Sequence, residues 1–269
     1  MPELPEVQTV VNTLRPKLLG RVIARVRLDR QDILTPPEVD LPAQLLGRKI
    51  VDIARRGKRI VFTLDTGERF YVHLGMSGRL GVHAPDEPVA RHTHLIVNFK
   101  AFKGELRFVD PRRFGGIWWL GRDLPPEGDM GPEPMQTRPH QLARRLQKTK
   151  RAIKNALLDQ TVLAGLGNIY VDESLFGAGL HPLTAADALS IEQVGRLNRS
   201  IKSTLRRALR HRGSTLRDYR DADGAPGTFQ KLHRVYGREG KPCRTCRTPI
   251  TRIVLGGRST HFCPKCQQP

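Results

Sequence analysis

The first residues of the chain, Pro2, Glu3 and Glu6, have the types and spacing needed for covalent catalysis. The initiator Met is commonly removed before a residue as small as Pro, and its removal would leave Pro2 with a free secondary amine. An α-amine has an ordinary pKa of about 7.7–8.0, so it needs less adjustment than a lysine to attack carbon at neutral pH. Glu3 and Glu6 could transfer protons beside it. The stretch therefore predicts an amine nucleophile accompanied by carboxylates.

A structural interpretation of the same stretch is also open. Pro early in a helix presets φ without losing a hydrogen bond, and acidic residues suit the positive end of the helix dipole. Gly20 would end such a helix. Between these points the apolar residues recur at helical spacing: Val7, Val10, Val11, Leu14 and Leu18. These residues alone leave both the nucleophile and the ordinary helix start open.

Composition and charge limit the class of protein. The chain has 269 residues, a length that favours two domains. Hydrophobic residues make up 38% of it, which is enough for packed cores. Lys and Arg exceed Asp and Glu by 46 − 26, a net charge of +20 that predicts a polyanionic partner. The sequence has neither a secretion signal nor an apolar run long enough to span a membrane. We therefore expect a cytosolic protein with no membrane partner.

The first half of the chain has the pattern of an antiparallel β-sandwich. Short alternating segments follow one another closely, which favours packed antiparallel sheets with the opening helix against them. The turn at 65–67 is a candidate hairpin. We predict strands at 21–28, 50–53, 60–64, 70–74, 94–99, 105–109 and 117–120.

The second half changes to helical periodicity. Residues 121–139 are rich in Pro and Gly and break the β pattern, which indicates a linker. We predict helices at 140–148, 150–158, 168–177 and 190–212, the last with a capping box and an apolar stripe. The opposite face of the last helix is either a solvated surface or a phosphate contact, and carries Arg196, Arg199, Arg206, Arg207 and Arg210.

The four cysteines form two C-x-x-C pairs, Cys243/Cys246 and Cys263/Cys266. This spacing is typical of a tetrahedral four-thiolate Zn²⁺ site, and disulfides are not expected in a reducing cytosol. Because all four ligands come from protein, the predicted zinc is structural. A β-hairpin between the pairs would place Arg258 at its Gly-Gly turn, close enough to reach a nucleic-acid backbone.

Three further stretches could bind DNA or serve only structure. Residues 165–170, Gly-Leu-Gly-Asn-Ile-Tyr, predict a turn into a helix whose N-terminus holds a phosphate, with Asn168 as an added donor or as an ordinary cap. Met76, Arg112 and Phe114 lie in two loops of the β half, as core filler and surface charge or as a wedge for a base stack. Residues 213–229 are polar and long enough for a functional loop.

Taken in order, these motifs resemble the bacterial formamidopyrimidine-DNA glycosylase family over nearly the whole chain. The resemblance rests on Pro-Glu-Leu-Pro-Glu-Val at the start, His-Leu-Gly-Met-Ser-Gly, Asp-Pro-Arg-Arg-Phe-Gly, Gly-Asn-Ile-Tyr-x-x-Glu-Ser-Leu-Phe and the four-cysteine finger. It implies a monomeric protein of the bacterial cytosol, with an α+β multidomain fold and DNA in a cleft between two lobes. On this basis we expect a β-sandwich domain at 1–122 with its N-terminal helix, a linker at 123–139, a helix–two-turns–helix domain at 140–234 and a zinc finger at 235–269.

The resemblance also assigns roles. It implies that Pro2 attacks C1′ of the damaged nucleotide, that Glu3 is the general acid and base, and that Glu6 holds the sugar. The 213–229 loop, including Ser214, would close over the extruded base. Gln8 departs from the family, many of whose members carry Glu there, and removes an acid near the site. The implied phosphate contacts are Lys58, Asn168 and Arg258, supported by His73, Lys154, Tyr170 and Tyr236, and the implied filling of the vacated stack is Met76, Arg112 and Phe114.

The expected activity is a bifunctional glycosylase and abasic-site lyase of base excision repair. A base inside a duplex is out of reach, so it must be extruded at a cost of a few kcal/mol. Amine attack expels the base and leaves an iminium, which acidifies the 2′ proton and allows elimination of the 3′ and then the 5′ phosphate. Expected substrates are duplex DNA with 8-oxoguanine, formamidopyrimidines or abasic sites. Because a guanidinium has only donors, Arg112 would suit cytosine opposite the lesion better than adenine.

Two alternatives remain at this stage. A non-catalytic zinc-ribbon DNA-binding protein would explain the charge and the cysteines but gives no reason for Pro2 beside Glu3. An endonuclease VIII-like glycosylase would prefer oxidised pyrimidines, and Leu4 together with the Met76, Arg112 and Phe114 set favours the purine enzyme instead.

Overall fold

The structure, a computed structural model, describes residues 2–125 and 128–268. The helices are α1 (Leu4–Leu18), α2 (Leu41–Leu45), α3 (Pro139–Leu146), α4 (Ile153–Leu158), α5 (Asn168–Ala178) and α6 (Ile191–Arg210). The strands are β1 (Ile23–Leu28), β2 (Leu34–Thr35), β3 (Ile50–Arg56), β4 (Arg59–Leu64), β5 (Arg69–His73), β6 (Arg79–His83), β7 (Thr93–Phe99), β8 (Glu105–Val109), β9 (Gly116–Gly121), β10 (Thr251–Leu255) and β11 (Arg258–Phe262). Every predicted strand and helix has a counterpart, and the α+β class is confirmed.

The chain forms two compact units that each contain two separate segments. The first unit comprises Met1–Gly128 and His211–Thr228, and the second comprises Asp129–Arg210 and Phe229–Pro269. These bounds differ from the predicted domain limits because side chains, rather than composition, decide where a segment packs. In the first unit, Tyr219 and Ala222 of the 211–228 segment belong to the hydrophobic core.

Two sheets enclose the core of the first unit. One has the order β1-β7-β8-β6, and the other has the order β2-β9-β5-β4-β3. All pairs are antiparallel except β2 with β9, whose parallel pairing the sequence did not indicate. Strand β6 lies at the end of a strand-like stretch at 49–82 but was not predicted as a separate strand, since Gly81 and polar ends hide its alternation. Its Val82 N–H donates to the carbonyl of Ala222.

Helix α1 packs on β3, β4 and β6. Its apolar side is fully buried, as the helical spacing predicts, and includes Val7, Val10, Leu14 and Leu18. Complete burial of such side chains stabilises the unit by about 1.5–3 kcal/mol each. The start of α1 is therefore held in one position on the sheets.

The second unit is helical with a small hairpin. Helix α6 packs on α3 and α5, and its predicted capping box is present: Gln193 N donates to Ser190 Oγ at 3.2 Å, and Ser190 N donates to Gln193 Oε1 at 2.8 Å. Part of the predicted linker packs here, because Gly131 N donates to Gln160 O. Strands β10 and β11 form the hairpin predicted between the cysteine pairs. Within residues 2–125 and 128–268, no helix has the length and apolar character to cross a membrane.

Candidate active site

The N-terminal stretch is a helix start, and it also places Pro2 beside two carboxylates, so both interpretations of the sequence apply. Helix α1 begins at Leu4, so Pro2 precedes the helix and Glu3 is its N-cap residue. Pro2 and Glu3 are buried, and so is Glu6, which is 1% exposed. The Glu6 carboxylate accepts from the backbone N–H of Glu3 through Oε2 at 2.8 Å. A helix start thus holds the backbone of Glu3, next to Pro2, in a fixed geometry.

The other oxygen of Glu6 reaches the 211–228 segment. The backbone N–H of Ser214 donates to Glu6 Oε1 at 2.7 Å, and the hydroxyl of Tyr219 donates to the Glu6 carbonyl at 3.2 Å. Burial, followed by the charge of Glu6, raises the pKa of Tyr219, so its hydroxyl stays a donor. Gly213 has φ +80°, and a Cβ there would lie 2.5 Å from Glu6 Oε1. Glycine is therefore required for this loop to approach the carboxylate.

The side chain of Gln8 forms hydrogen bonds with Arg55 and Asn12 on one face of α1. Its Oε1 accepts from Arg55 Nε at 2.9 Å, and its Nε2 donates to Asn12 Oδ1 at 2.9 Å. The side-chain amide thus uses both of its functions, one as acceptor and one as donor. Gln8 therefore links Arg55 to Asn12 on this face of α1.

Lys58 and His73 lie together at one end of the second sheet. Lys58 follows Gly57 in the β3–β4 turn, and Arg59 pairs with His73 across β4 and β5. The backbone N–H of Gly75 donates to His73 Nδ1 at 3.1 Å. Burial, together with Lys58 and Arg59, lowers the pKa of His73 to about 4. His73 is therefore neutral at pH 7, and its proton is on Nε2, which can donate to a phosphate.

Met76, Arg112 and Phe114 form an exposed apolar and cationic wedge. Met76 is 39% exposed and Phe114 is 57% exposed, which is unusual for such large apolar side chains. The Arg112 guanidinium carbon lies 4.6 Å from the centroid of the Phe114 ring. The interpretation of Met76 and Phe114 as core filler is excluded by this exposure, and the wedge has the residue types that enter a base stack.

A buried carboxylate, Asp110, fixes the two loops that carry this wedge. Its Oδ1 accepts from the hydroxyl of Ser77 at 2.7 Å, and its Oδ2 accepts from Gly115 N at 2.8 Å. Asp110 has no exposed surface. The loops touch closely at Gly75, where a Cβ would be 2.3 Å from Gly115 N. Our sequence analysis missed Asp110 as a positioning residue, although it opens the Asp-Pro-Arg-Arg-Phe-Gly motif.

In the second unit, Lys154 and Asn168 hold the hairpin that carries Arg258. Lys154 Nζ pairs with Asp172 Oδ1 at 2.7 Å and donates to Ser259 O at 2.8 Å. Asn168, the first residue of α5, donates from Nδ2 to the same carbonyl at 2.9 Å. Arg258 itself is exposed. Lys154, which the resemblance implies as a support for the phosphate contacts, has a side chain that is 0% exposed in this structure, so it acts on Arg258 through the backbone of Ser259.

Tyr170 and Tyr236 also serve packing in this structure. Tyr170 is 0% exposed and lies against Phe229 at 5.8 Å between ring centroids, so it has no surface for a direct DNA contact. Tyr236 is half-buried, and its backbone N–H donates to Glu173 Oε1 at 2.9 Å. Glu173 also accepts from the backbone N–H groups of the two preceding residues, at 2.8–2.9 Å. The sequence analysis did not identify this buried carboxylate, which lies inside the quoted motif.

The four cysteines fit a zinc ion. Their Sγ atoms lie within 4.8 Å of one another, with 3.4 Å between Cys246 and Cys263 and 4.0 Å between Cys243 and Cys266. Tetrahedral zinc with Zn–S bonds of about 2.3 Å requires sulfur separations of about 3.8 Å. Cys243 and Cys263 are fully buried beside Val235 and Ile250. This closed donor set supports one structural zinc, as predicted.

Comparison with known proteins agrees with this arrangement along the whole chain. The profile of the formamidopyrimidine-DNA glycosylase N-terminal domain matches residues 1–117, that of the formamidopyrimidine-DNA glycosylase H2TH domain matches residues 130–220, and that of the zinc finger found in FPG and IleRS matches residues 240–269. The formamidopyrimidine-DNA glycosylase of Geobacillus kaustophilus is 42% identical, with 100% of both chains covered, and that of Bacillus subtilis is 44% identical, with 99% of both covered.

Solved structures give the same result. The MutM (FPG) protein of Thermus thermophilus has a TM-score of 0.88 at 40% identity, covering 99% of this chain and 98% of its own. An FPG mutant of Lactococcus lactis in complex with Fapy-dG containing DNA has a TM-score of 0.93 at 36% identity, covering 100% of both. These features define a DNA-binding protein of the helix–two-turns–helix (H2TH) and zinc-finger class: a β-unit with an exposed wedge, an H2TH unit and a four-thiolate finger. The chain belongs to the formamidopyrimidine-DNA glycosylase family.

Proposed function

We propose that this protein excises oxidised purines from DNA by attack of the Pro2 amine on C1′ of the damaged nucleotide. Membership in the family makes it a base-excision-repair DNA glycosylase with abasic-site lyase activity that acts on lesion-containing duplex DNA. The observation that carries the mechanism is the position of Pro2: it lies ahead of α1, beside a buried Glu3 whose backbone Glu6 holds. The relatives are bacterial, and we place the activity in the bacterial cytosol, at the nucleoid.

The proposed reaction begins after removal of Met1 has exposed the secondary amine of Pro2. Its nitrogen forms a bond to C1′ while the bond from C1′ to the base breaks, and the base leaves with the bonding pair and takes up a proton. The Pro2 nitrogen, cationic after the attack, gives its own proton to Glu3 and regains its lone pair. Glu3 then protonates the ring oxygen, so the sugar opens and the nitrogen becomes an iminium. Glu3 is the general acid and base for these transfers, since it is the carboxylate adjacent to the amine.

The iminium drives strand cleavage because it accepts electrons from the neighbouring carbon. Loss of a 2′ proton breaks the bond from C3′ to the 3′ phosphate oxygen, and a second elimination releases the 5′ phosphate. Water then hydrolyses the imine and frees Pro2. Zinc held by four thiolates has no open coordination position, so it stabilises the finger that carries Arg258.

Each unit contributes cationic or neutral donors to the DNA backbone in this proposal. The first unit contributes Lys58 and neutral His73, and the second contributes Arg258 and the exposed part of Asn168. Lys154 supports these contacts as a positioning residue, because its buried ammonium fixes Ser259 next to Arg258. Phosphate contacts of this kind fix the register of the protein and make affinity depend on salt.

The wedge and the 211–228 loop serve the extruded nucleotide. Phe114 and Met76 replace the missing base in the stack, and Arg112 donates to the pairing edge of the orphaned cytosine. Glu6 joins the backbone at Glu3 to the backbone of Ser214, so the loop that would cover the lesion is held to the catalytic end of α1. Glu6 is thereby a positioning residue as well as a neighbour of the sugar.

Borohydride trapping on a duplex with 8-oxoguanine opposite cytosine tests the nucleophile and the substrate together. Borohydride should reduce the iminium and leave a covalent complex in which mass spectrometry finds the DNA on the peptide that begins with Pro2. A matched protein that retains Met1 carries an acylated Pro2 nitrogen and should give neither the complex nor cleavage. A cross-link on Lys58 would assign the attack to a different amine, and faster excision of thymine glycol would move the protein to the endonuclease VIII-like alternative.

A further inference from the structure

A groove in the second unit gathers four arginines around one cavity. The cavity has a volume of about 350 Å³ and is lined by Arg196, Arg199 and Arg207 of α6 and by Arg234. The hydroxyls of Ser203 and Thr204 also line it, and no described carboxylate does. We call this feature the arginine groove. It includes part of the basic face of α6, which the sequence analysis left open as solvated surface or phosphate contact.

The groove is built by close helix packing. Positions 196, 199, 203 and 207 share one side of α6, since residues three and four apart are neighbours on a helix. Gly177 of α5 leaves room on the other wall: a Cβ there would lie 2.3 Å from Ser200 Oγ and 2.7 Å from Arg234 Nη2. Arg234 Nη2 also donates to Glu173 O at 2.9 Å. The absence of a side chain at Gly177 therefore lets a guanidinium lie at the groove wall.

The positive charge of the groove is incompletely balanced. Glu173 Oε2 lies 3.5 Å from Arg234 Nε, but its carboxylate already accepts from three backbone N–H groups. Within the described residues, Arg196, Arg199 and Arg207 have no carboxylate within 4.0 Å, and the buried Nε of Arg234 makes no hydrogen bond. Burial lowers the pKa of Arg234, and the nearby positive charge of Arg207 lowers it further, whereas the negative charge of Glu173 raises it. These guanidinium donors could therefore bind an anion.

The donor types select a phosphate group. Guanidinium groups present paired N–H donors that match phosphate oxygens, and hydroxyls add donors at the same wall. The substrate of this enzyme is a polymer of phosphodiesters, and the net charge of +20 attracts further lengths of it. We infer that the arginine groove binds a phosphodiester of the DNA backbone as a second contact, apart from the residues assigned to the lesion. Such a contact is independent of sequence and would keep the protein on undamaged DNA while it searches.

The test uses the zinc-bound, full-length protein saturated with a duplex that carries a tetrahydrofuran abasic analogue. An undamaged duplex of twelve base pairs is then added, and the arginine Nε–H signals are followed by NMR. Signals of Arg199, Arg207 and Arg234 should shift, and those of Arg206 and Arg210 should not. Inorganic pyrophosphate is titrated separately. Shifts with pyrophosphate but none with the duplex would overturn the assignment to DNA, and equal shifts at Arg206 and Arg210 would overturn the groove itself.

Two double variants of α6 provide a matched control. Arg196→Gln with Arg199→Gln removes two exposed charges from the groove, and Arg206→Gln with Arg210→Gln removes two exposed charges beside it. Binding of the second duplex is measured over a range of salt concentrations. The groove variant should lower the slope of log K against log salt by about 0.9 per lost phosphate contact, and the control should change it less. Excision from a short lesion duplex should be unchanged in both, and a loss confined to the groove variant would mean that the groove serves the lesion site.

Discussion

Replacement of Glu6 by Gln tests how the lesion-covering loop is attached to the catalytic end of α1. The two carboxylate oxygens of Glu6 face two backbone donors, Glu3 N–H at 2.8 Å and Ser214 N–H at 2.7 Å. A side-chain amide has one oxygen and one NH₂ group, so in either orientation a donor opposes a donor. The isosteric change Glu6→Gln therefore breaks one of the two bonds without creating a cavity.

The expected cost follows from the burial of this site. Glu6 is 1% exposed, so the N–H that loses its acceptor has no water to replace it. Leaving a buried donor unsatisfied costs about 1–3 kcal/mol, which corresponds to about a 5- to 150-fold change in an equilibrium constant. The Glu3 backbone is fixed by the packing of α1, whereas Ser214 lies in a loop, so we expect the loop to detach first. Exchange of the Ser214 amide with solvent should accelerate by that factor.

Hydrogen exchange and two activity assays separate the possible roles of Glu6. Excision of 8-oxoguanine should fall in Glu6→Gln, while cleavage at a preformed abasic site, which has no base to cover, should fall less. Gln8→Glu on the same helix serves as the control, and its Ser214 amide should exchange as in wild type. If activity falls while the Ser214 amide stays protected, Glu6 acts in the chemistry itself and the positioning argument is refuted.

Three further predictions concern zinc, the opposite base and pH. Cys243→Ser should lose zinc and DNA binding while the β-unit stays folded; metal analysis and circular dichroism would check this, and normal cleavage without zinc would contradict it. Excision of 8-oxoguanine should be about tenfold or more faster opposite cytosine than opposite adenine, from an unmatched donor costing ~1.4 kcal/mol or more, and single-turnover rates should show that Arg112→Ala reduces this preference. The pKa of His73 is about 4, below its ordinary 6.5, so the unfolded chain takes up the proton first and stability falls as pH drops from 6.5 toward 4. Urea midpoints should show a weaker pH dependence in His73→Gln.

The sequence predicted the elements and the chemistry because both leave local patterns. Helical spacing indicated α1, and two C-x-x-C pairs indicated the thiolate cluster whose Sγ atoms the fold brings within 4.8 Å. The loop residues Met76 and Phe114 left core filler and wedge both open, and the wedge was assigned from the resemblance of the short motifs that contain them. In each of these cases, residues near in sequence carry the signal.

The positioning carboxylates could not be predicted because their partners are distant in sequence. Asp110 binds Ser77, 33 residues away, and Glu6 binds Ser214, 208 residues away. Nothing local marks such an acid as buried, since Asp and Glu are usually exposed. For the same reason the burial of Lys154 could not be predicted: the charge of Asp172 that permits it lies one helix further along.

The division of the chain into interleaved units affects how the protein is made and how it can be cut. The first unit needs residues 211–228 for its core, and the second needs Phe229–Pro269 to complete a body that began at Asp129. A nascent chain that has emerged from the ribosome up to residue 128 therefore lacks Tyr219 and Ala222, and its hydrophobic core is incomplete. The first unit has all of its residues only at Thr228 and the second only at Pro269, which is 269 − 228 = 41 residues later. A fragment made by a single cut at residue 128 would expose apolar surface, so separate expression of the first unit requires the 211–228 segment to be grafted on.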